Sequence, residues 1–517
     1  MAFINVEGGG SPVNIAVRIG ATLAVLALLY NLVQFVRVRY MFWRWKKQGV
    51  PMMPHSLLFG HITVLMKLRS GLPSDAHSNY IPQLVYENWQ TLFPGRKTCP
   101  PVIYIDSWPI GVPALWIIDP ETAWTTTGDM NVKRSRIVMD FFKPLTENLD
   151  LVSMDGEVWK TWRTRLNPSF SQRNVNTLVP GMVHDMEIFV DRLRRRAGAG
   201  GDWGKVFALQ GITTDLTIDI IARATLGMEM NEQTDGPSKL RTALMNQIGR
   251  LMARFNILDE IKWYNPWRAW TIARDRAIMF TELYPAVMEC LQQKDEGGTK
   301  TILAQAMSLC KTMPPSRLFL NTVMAQLKVF MFAGHDTTAT TLCWVLHTMA
   351  KNPEIARKVR AELDEVLENP ADMGKKLTES PHLLNSLTYL TALIKETLRF
   401  YAPAGPNRDG APEHNFLDPE TGVMCPTDGV FMVDSVRALV HEEEVWPRAR
   451  EVIPERWLTT DPNDPIYPRK QAWRAFGNGP RVCIGQELAM TELRLAVAYV
   501  AREFDIDCAY DEWDATQ

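Results

Sequence analysis

Near the N-terminus an uncharged, mostly apolar run extends from Ile19 to Val36, with Asn31 and Gln34 its most polar members. Its length approaches the about 20 residues a helix needs to cross a bilayer. Directly after it come Arg37, Arg39, Arg44, Lys46 and Lys47, interleaved with Tyr40, Phe42, Trp43 and Trp45. Cations on the C-terminal flank with interfacial aromatics predict an uncleaved anchor whose downstream chain stays in the cytosol. A cleaved signal would put its charge first and end in a small-residue site. A buried or interfacial helix is the other reading of the run. Gly49-Val-Pro-Met-Met-Pro54 then makes a stiff break. The pattern divides the chain into a tail over 1–18, an anchor over 19–36, a basic and proline-rich hinge over 37–60, and a main body over 61–517.

In the body, short β-forming runs at Pro101–Asp106 and Ala114–Ile118 are separated by turn residues. From about Asp119 onward helical periodicity dominates. Glycine-rich or proline-containing stretches at 197–202, 294–299 and 369–375 punctuate it as loops. A proline-free apolar pattern from Ser316 to Ala350 predicts one long helix, and a β-like, irregular region follows from 403 to 450. The expected class is mainly α with a minor β-sheet region and one N-terminal transmembrane helix.

Composition narrows the partners. A net charge of −2 lacks the basic excess that a nucleic-acid partner requires. Seven scattered cysteines, an odd number, read as reduced thiols in a cytosol-facing protein.

One of those thiols lies in Phe476-Gly-Asn-Gly-Pro-Arg-Val-Cys-Ile-Gly485, just before a run of helical period starting at Gln486. The unpaired N–H groups and positive dipole end of that helix converge on Cys483. Such a position predicts a lowered thiol pKa and a metal-binding thiolate. Gly477, Gly479 and Gly485 are read as clearing side chains from around the sulfur for a large flat ligand, and Arg481 as meeting an anionic group on it. A lone cysteine is as easily a small buried hydrophobe. The absent Gly-Lys-Ser/Thr ending excludes a phosphate loop, and no second thiol or imidazole stands at zinc spacing.

The whole pattern, at Phe476, Gly479, Arg481, Cys483 and Gly485, resembles the haem-binding signature of the cytochrome P-450 family. Three further segments share the resemblance. Ala333-Gly-His-Asp-Thr-Thr338, in mid-helix, is similar to the family's oxygen-activation motif. The pair Glu396/Arg399 with Pro454-Glu-Arg-Trp457 resembles its Glu-x-x-Arg and Pro-Glu-Arg-Phe segments, with Trp457 in place of phenylalanine. Trp159-Lys-Thr-Trp-Arg163 matches Trp-x-x-x-Arg. His441-Glu-Glu-Glu444 departs from the common His-Arg-Asp-Pro.

The resemblance implies a cytochrome P-450 fold over about 450 residues with haem b (iron protoporphyrin IX) bound by Cys483 as axial iron ligand. Trp159, Arg163, Arg408 and Arg481 would hold the propionates. Thr337 would hold dioxygen and its water, and Asp336 would relay protons, with His335 merely packed. Glu396, Arg399 and Arg456 would form a buried structural network. The implied enzyme is a monooxygenase, anchored in the endoplasmic reticulum membrane with its catalytic domain in the cytosol. It would take electrons from NADPH through a separate NADPH-cytochrome P-450 reductase. Lys160, Arg165, Arg469, Lys470 and Arg474 would form the docking face. A membrane tether favours a lipophilic substrate, and the style of the motifs resembles fungal members acting on polyketides or terpenoids. Segments 125–145, 245–267, 328–334 and 402–406 would line its pocket. A reductase-independent peroxide isomerase and a non-catalytic haem sensor or carrier are the alternatives.

Overall fold

The computed structural model describes residues 12–73, 76–77, 80–126, 132–200, 202–252, 267–292, 301–308 and 315–515. Most of the expected tail, the loop at 294–299, and parts of the expected pocket segments 125–145 and 245–267 lie outside the described residues. The chain forms two compact units, one of Met1–Ile118 with Gly410–Val433, the other of Asp119–Asp409 with Asp434–Gln517.

In the first unit, α1 runs from Pro12 to Lys47 as one helix, with Arg44, Lys46 and Lys47 in its last turn complementing the dipole. Its span from Ala16 is long and apolar enough to cross a membrane. The apolar stretch stays exposed: Leu28 is 70 % and Val33 62 % accessible. The basic stretch does not form a uniform flank. Arg37, Arg44, Lys46 and Lys47 are exposed, whereas Arg39 is buried. Arg39 pairs with Asp106 and donates to the carbonyls of Leu57 and Leu58 at 2.9 and 2.8 Å. Val38, Phe42 and Trp45 are buried beside it. The end of the apolar helix is therefore packed into its unit, and the break in the chain falls after Lys47.

β1 (Val102–Ile105) and β2 (Ala114–Ile117) pair antiparallel, Val102 opposite Ile117, at the two runs predicted from alternation. A second antiparallel pair joins β3 (Asn415–Leu417) to β4 (Met424–Pro426), and β5 (Phe431–Asp434) starts with the Phe431 N–H on the Pro113 carbonyl at 2.9 Å.

The second unit is helical. Its site-forming helices are α2 (Arg136–Thr146), α3 (Gly156–Leu166), α4 (Gln172–Arg194), α5 (Leu209–Leu226), α6 (Lys239–Met252), α7 (Arg268–Gln292), α8 (Arg317–Lys351), α9 (Thr388–Tyr401) and α10 (Gln486–Glu503). The predicted long helix is α8, 35 residues capped by Ser316, whose side chain accepts the Phe319 N–H. At 1.5 Å per residue it spans roughly 52 Å.

Where α8 crosses α5, Gly334 faces Ile221, and a Cβ there would stand 2.5 Å from Ile221 Cγ1. The Thr217 hydroxyl of α5 donates to the His335 carbonyl at 2.9 Å. The helix is continuous, and the Thr337 hydroxyl donates to the Ala333 carbonyl at 2.8 Å. What the glycine supplies is room for close helix approach.

Around this crossing Val329, Phe330, Met331, His335, Thr338 and Ala339 are buried, but Lys328, Phe332, Ala333, Asp336 and Thr337 are not. At about 100° per residue Ala333, Asp336 and Thr337 fall within about 100° of one another and form the cavity-lining stripe in the centre of an otherwise well-packed helix, whereas Lys328 projects about 180° from Thr337.

Gly334→Ala should cost about 1–3 kcal/mol through overpacking. Ile221→Ala in the same chain should recover part of it, read as a positive coupling in a double-mutant denaturation cycle. Additive losses would contradict the crossing.

Candidate active site

The cysteine loop is held by its own backbone. The Gly477 N–H donates to Arg474, Val482 to Gly479 and Cys483 to Phe476, at 2.9, 3.0 and 2.9 Å. Gly477 and Gly479 have φ of 71° and 70°, the left-handed region that favours glycine. The three glycines therefore have different tasks. Gly477 and Gly479 serve the turn, whereas Gly485 stands beside the sulfur, where an added Cβ would make an ordinary contact 4.0 Å from Sγ. Phe476 packs against Trp473, ring centroids 5.9 Å apart.

α10 begins at Gln486, as its period predicts. Cys483 is accessible to solvent, yet its thiol lies deep among protein atoms, so it opens onto an internal cavity. Burial pushes the thiol's pKa up from its ordinary value, against the Gly485 N–H and the Arg163 charge, which pull it down. The lowered pKa expected for this position is not found, because desolvation outweighs the Gly485 N–H and the Arg163 charge. A thiolate here needs a bound cation at the sulfur. Cys99, Cys290, Cys343, Cys425 and Cys508 are also free, and Cys310 lies outside the described residues.

The loop reaches α8 through Phe170. Its ring would stand 3.9 Å from a Cβ on Gly485, and its centroid is 5.3 Å from that of Phe330. Further along α8, the Asp336 and Thr337 side chains stand on the cavity-lining stripe. Asp336 has no hydrogen-bond or ion-pair partner among the described residues, so its carboxylate is available to water or to a bound molecule. His335 is 2 % exposed, with Nδ1 2.8 Å from the Met331 carbonyl. Burial lowers its pKa, as suits a packed neutral ring.

Four guanidinium groups gather at the loop. Arg163, on α3, has its pKa lowered by burial and lies close enough to Cys483 to feel its charge. It has no partner among the described residues. Arg481 lies over the Trp159 ring, 4.0 Å from its centroid, donates to the Met154 carbonyl at 2.8 Å and pairs with Asp155. Arg408 is 4 % exposed, and among the described residues its guanidinium bonds only the Asn407 carbonyl, at 2.7 Å. Arg134 has a buried Nε without a partner.

Burial and repulsion from neighbouring cations lower Arg134 to about 9 and Arg481 to about 10, with Asp155 opposing. Arg474 is taken by Asp434. Asp155 is the carboxylate shared by Arg134, Arg408 and Arg481, and none acts on Arg163 among the described residues. So uncompensated a cluster calls for an anion, and two carboxylates bidentate to arginine suit it. The two propionates of haem b fit this donor set, and an accessible Cys483 thiol fits its iron.

Arg134 was missed from the sequence. It belongs to no motif, and its one mark is its place before Ser135, whose hydroxyl caps α2. Trp159 contributes a platform for Arg481.

Behind the loop Glu396 is fully buried. Arg399 grips both its oxygens at 2.8 and 3.1 Å, and Arg456 Nε adds a bond at 3.2 Å. Trp457, the departure from the family's phenylalanine, donates its indole N–H to the same carboxylate at 3.0 Å. The remaining guanidinium donors satisfy carbonyls of Val440, Ala449, Glu451, Pro447 and Ile466. The expected docking face is smaller than read. Arg474 is buried in its ion pair, Arg165 lies on the Trp162 ring at 4.6 Å, and Arg469 pairs with Asp119 at 2.9 Å. Lys160 and Lys470 remain exposed.

A cysteine-capped cationic cradle facing a long helix with an acid–alcohol pair defines a haem-thiolate oxidoreductase. The family profile for Cytochrome P450 matches residues 107–515. The chain is 35% identical over 96% of its length, and 88% of the relative's, to "Cytochrome P450 monooxygenase polC" of Polytolypa hystricis. It is 27% identical over 87% of its length, and 91% of the relative's, to "Cytochrome P450 monooxygenase acrF" of Aspergillus aculeatus. Its fold is similar to the crystal structure of the cytochrome P450DA heme domain, with a TM-score of 0.69 at 19% identity, covering 89% of this chain and 92% of that one. The chain belongs to the cytochrome P450 family and is a P450 monooxygenase.

Arg134→Leu should loosen haem by about 1.5–3 kcal/mol, the usual worth of a hydrogen bond to a charged group. Haem transfer to apomyoglobin measures it. Unchanged retention would remove Arg134 from the cradle.

Proposed function

We propose that this enzyme inserts one oxygen atom into, or desaturates, a lipophilic terpenoid or polyketide intermediate. Electrons come from NADPH through a separate reductase. For hydroxylation, substrate, O2, NADPH and a proton give alcohol, water and NADP+. The observation that carries the reading is the pairing of an accessible Cys483 thiol with Asp336 and Thr337 on the cavity wall. When bound, haem supplies dioxygen activation, and a thiolate ligand favours O–O cleavage.

The chain's own residues do the rest. Arg134, Arg163, Arg408 and Arg481 fix the cofactor's carboxylates, and the Glu396 network keeps the loop's scaffold rigid. The Thr337 hydroxyl, now on the Ala333 carbonyl, rotates to hold a water in the cavity. Asp336 passes protons to it from solvent. Cavity walls at Phe332 and Ala333 orient an apolar skeleton. Residues 19–36 anchor the enzyme in the endoplasmic reticulum membrane, the segment to residue 60 orients it, and the remainder works in the cytosol. The two named fungal monooxygenases support a fungal-type biosynthetic role.

Turnover with reductase and NADPH, compared with peroxide alone, tests the reading. Cys483→Ala should abolish both product and the thiolate signature of the reduced carbon monoxide spectrum. Asp336→Asn should keep that spectrum and lose roughly 10²-fold in turnover, the low end for a positioned proton donor. Full activity in Asp336→Asn would refute the proton relay.

Lys160 and Lys470 form the reductase face. Reversing both to glutamate should weaken reductase-supported turnover, most at low salt, with haem content intact. Unchanged turnover would discard the face.

A further inference from the structure

A charged side chain, Lys328, opens the α8 segment 328–334 expected to line the substrate pocket, and it is not fully enclosed by protein. Lys328 lies one turn before Phe332, whose ring packs edge-on against Phe142 of α2 at 5.4 Å. The Lys328 ammonium donates to the Leu145 carbonyl, also on α2, at 2.8 Å. An ammonium carries three donors, and this is its one hydrogen bond among the described residues. No described carboxylate forms an ion pair with it.

The charged groups acting on Lys328 are two. Arg276 of α7 repels it, and Asp150, in the turn after α2, attracts it. Neither acid nearby is free to move to it. Asp150 accepts from the hydroxyls of Thr146 and Ser153 and the N–H groups of Val152 and Ser153. Glu147 is bound to Arg276. On the neighbouring helices Arg250 and Asp275 satisfy each other at 2.5 Å. Burial, with help from Arg276, brings Lys328 down to about 8, so it remains charged at neutral pH. A buried charge lacking a counter-charge is costly, and an uncharged side chain of similar length would fill the space without that cost.

We propose that Lys328 receives the carboxylate of the substrate, so that the substrate class is a lipophilic carboxylic acid. The inference rests on the monooxygenase reading and deepens it. Along α8 the rise from Lys328 is roughly 7.5 Å to Ala333 and roughly 13.5 Å to Thr337. The oxidised carbon therefore lies well away from the carboxylate, across a medium-length chain or a fused-ring skeleton packed on Phe332. Lys328 is a specificity-determining residue at the far end of the pocket, remote from the oxygen chemistry.

The test uses the full-length, haem-loaded enzyme and matched probes: lauric, palmitic, dehydroabietic and oleanolic acids, each beside its methyl ester. Binding is followed by calorimetry and by haem absorbance. At least one acid should bind wild type more than roughly tenfold tighter than its ester, the worth of about one good charge-assisted contact. Lys328→Met should lose that preference while leaving ester affinity in place, and Lys328→Arg should retain most of it. Because only the ammonium form attracts a carboxylate, acid affinity should fall as pH rises above about 8, and ester affinity should not. An acid preference absent from wild type, or surviving in Lys328→Met, overturns the proposal. The carbon monoxide spectrum and reductase-supported NADPH oxidation are measured in parallel. Their failure in wild type would sink the monooxygenase reading, a result separate from the acid-to-ester ratio.

Discussion

One buried carboxylate sets the platform on which the site is built. Glu396 has no access to water, yet it carries a charge answered by Arg399, Arg456, the Trp457 indole and the Ile453 N–H at 3.1 Å. Each arginine spends its other donors on carbonyls between Val440 and Ile466. A stretch with little regular structure is thereby pinned to α9, and the cysteine loop follows directly from it. Such a network gives little net stability over apolar packing. What it gives is a fixed geometry, since any displacement strands a charge.

The two faces of the cavity are built on opposite electrical principles. On the loop side, four guanidinium groups gather with few carboxylates to answer them, Asp155 foremost, an arrangement that favours an anionic ligand. On the α8 side, an acid and a hydroxyl stand in a mostly apolar wall. The thiol belongs to neither regime alone. Burial pushes its pKa up against the Gly485 N–H and the Arg163 charge, so a bound cation would favour the thiolate.

Much of this was legible along the chain. The ends of α8, the two predicted strands of the first unit and the four motif segments stand where pattern and spacing put them, because period and capping are local properties, whereas α1 runs on to Lys47 through the segment read as a hinge. The misreadings share a different cause. Arg474 and Arg39 look like surface cations in sequence, and both are buried against aspartates distant in the chain. Gly334 stands in sequence only as part of a motif, whereas its packing reason is Ile221, over a hundred residues away. Arg134 carries no local mark, since it is defined by the cations it faces.

The sequence alone determined the class of the protein, because motif residues that bind one large cofactor must recur in fixed order and spacing. It also determined the anchor-like helix, which is a matter of length and hydropathy. Only the tertiary structure decided which arginines are left without acids, which glycines serve the turn and which stands beside the sulfur, and which face of α8 lines the cavity. Burial and charge balance depend on neighbours brought together by folding, and no short window of sequence contains them.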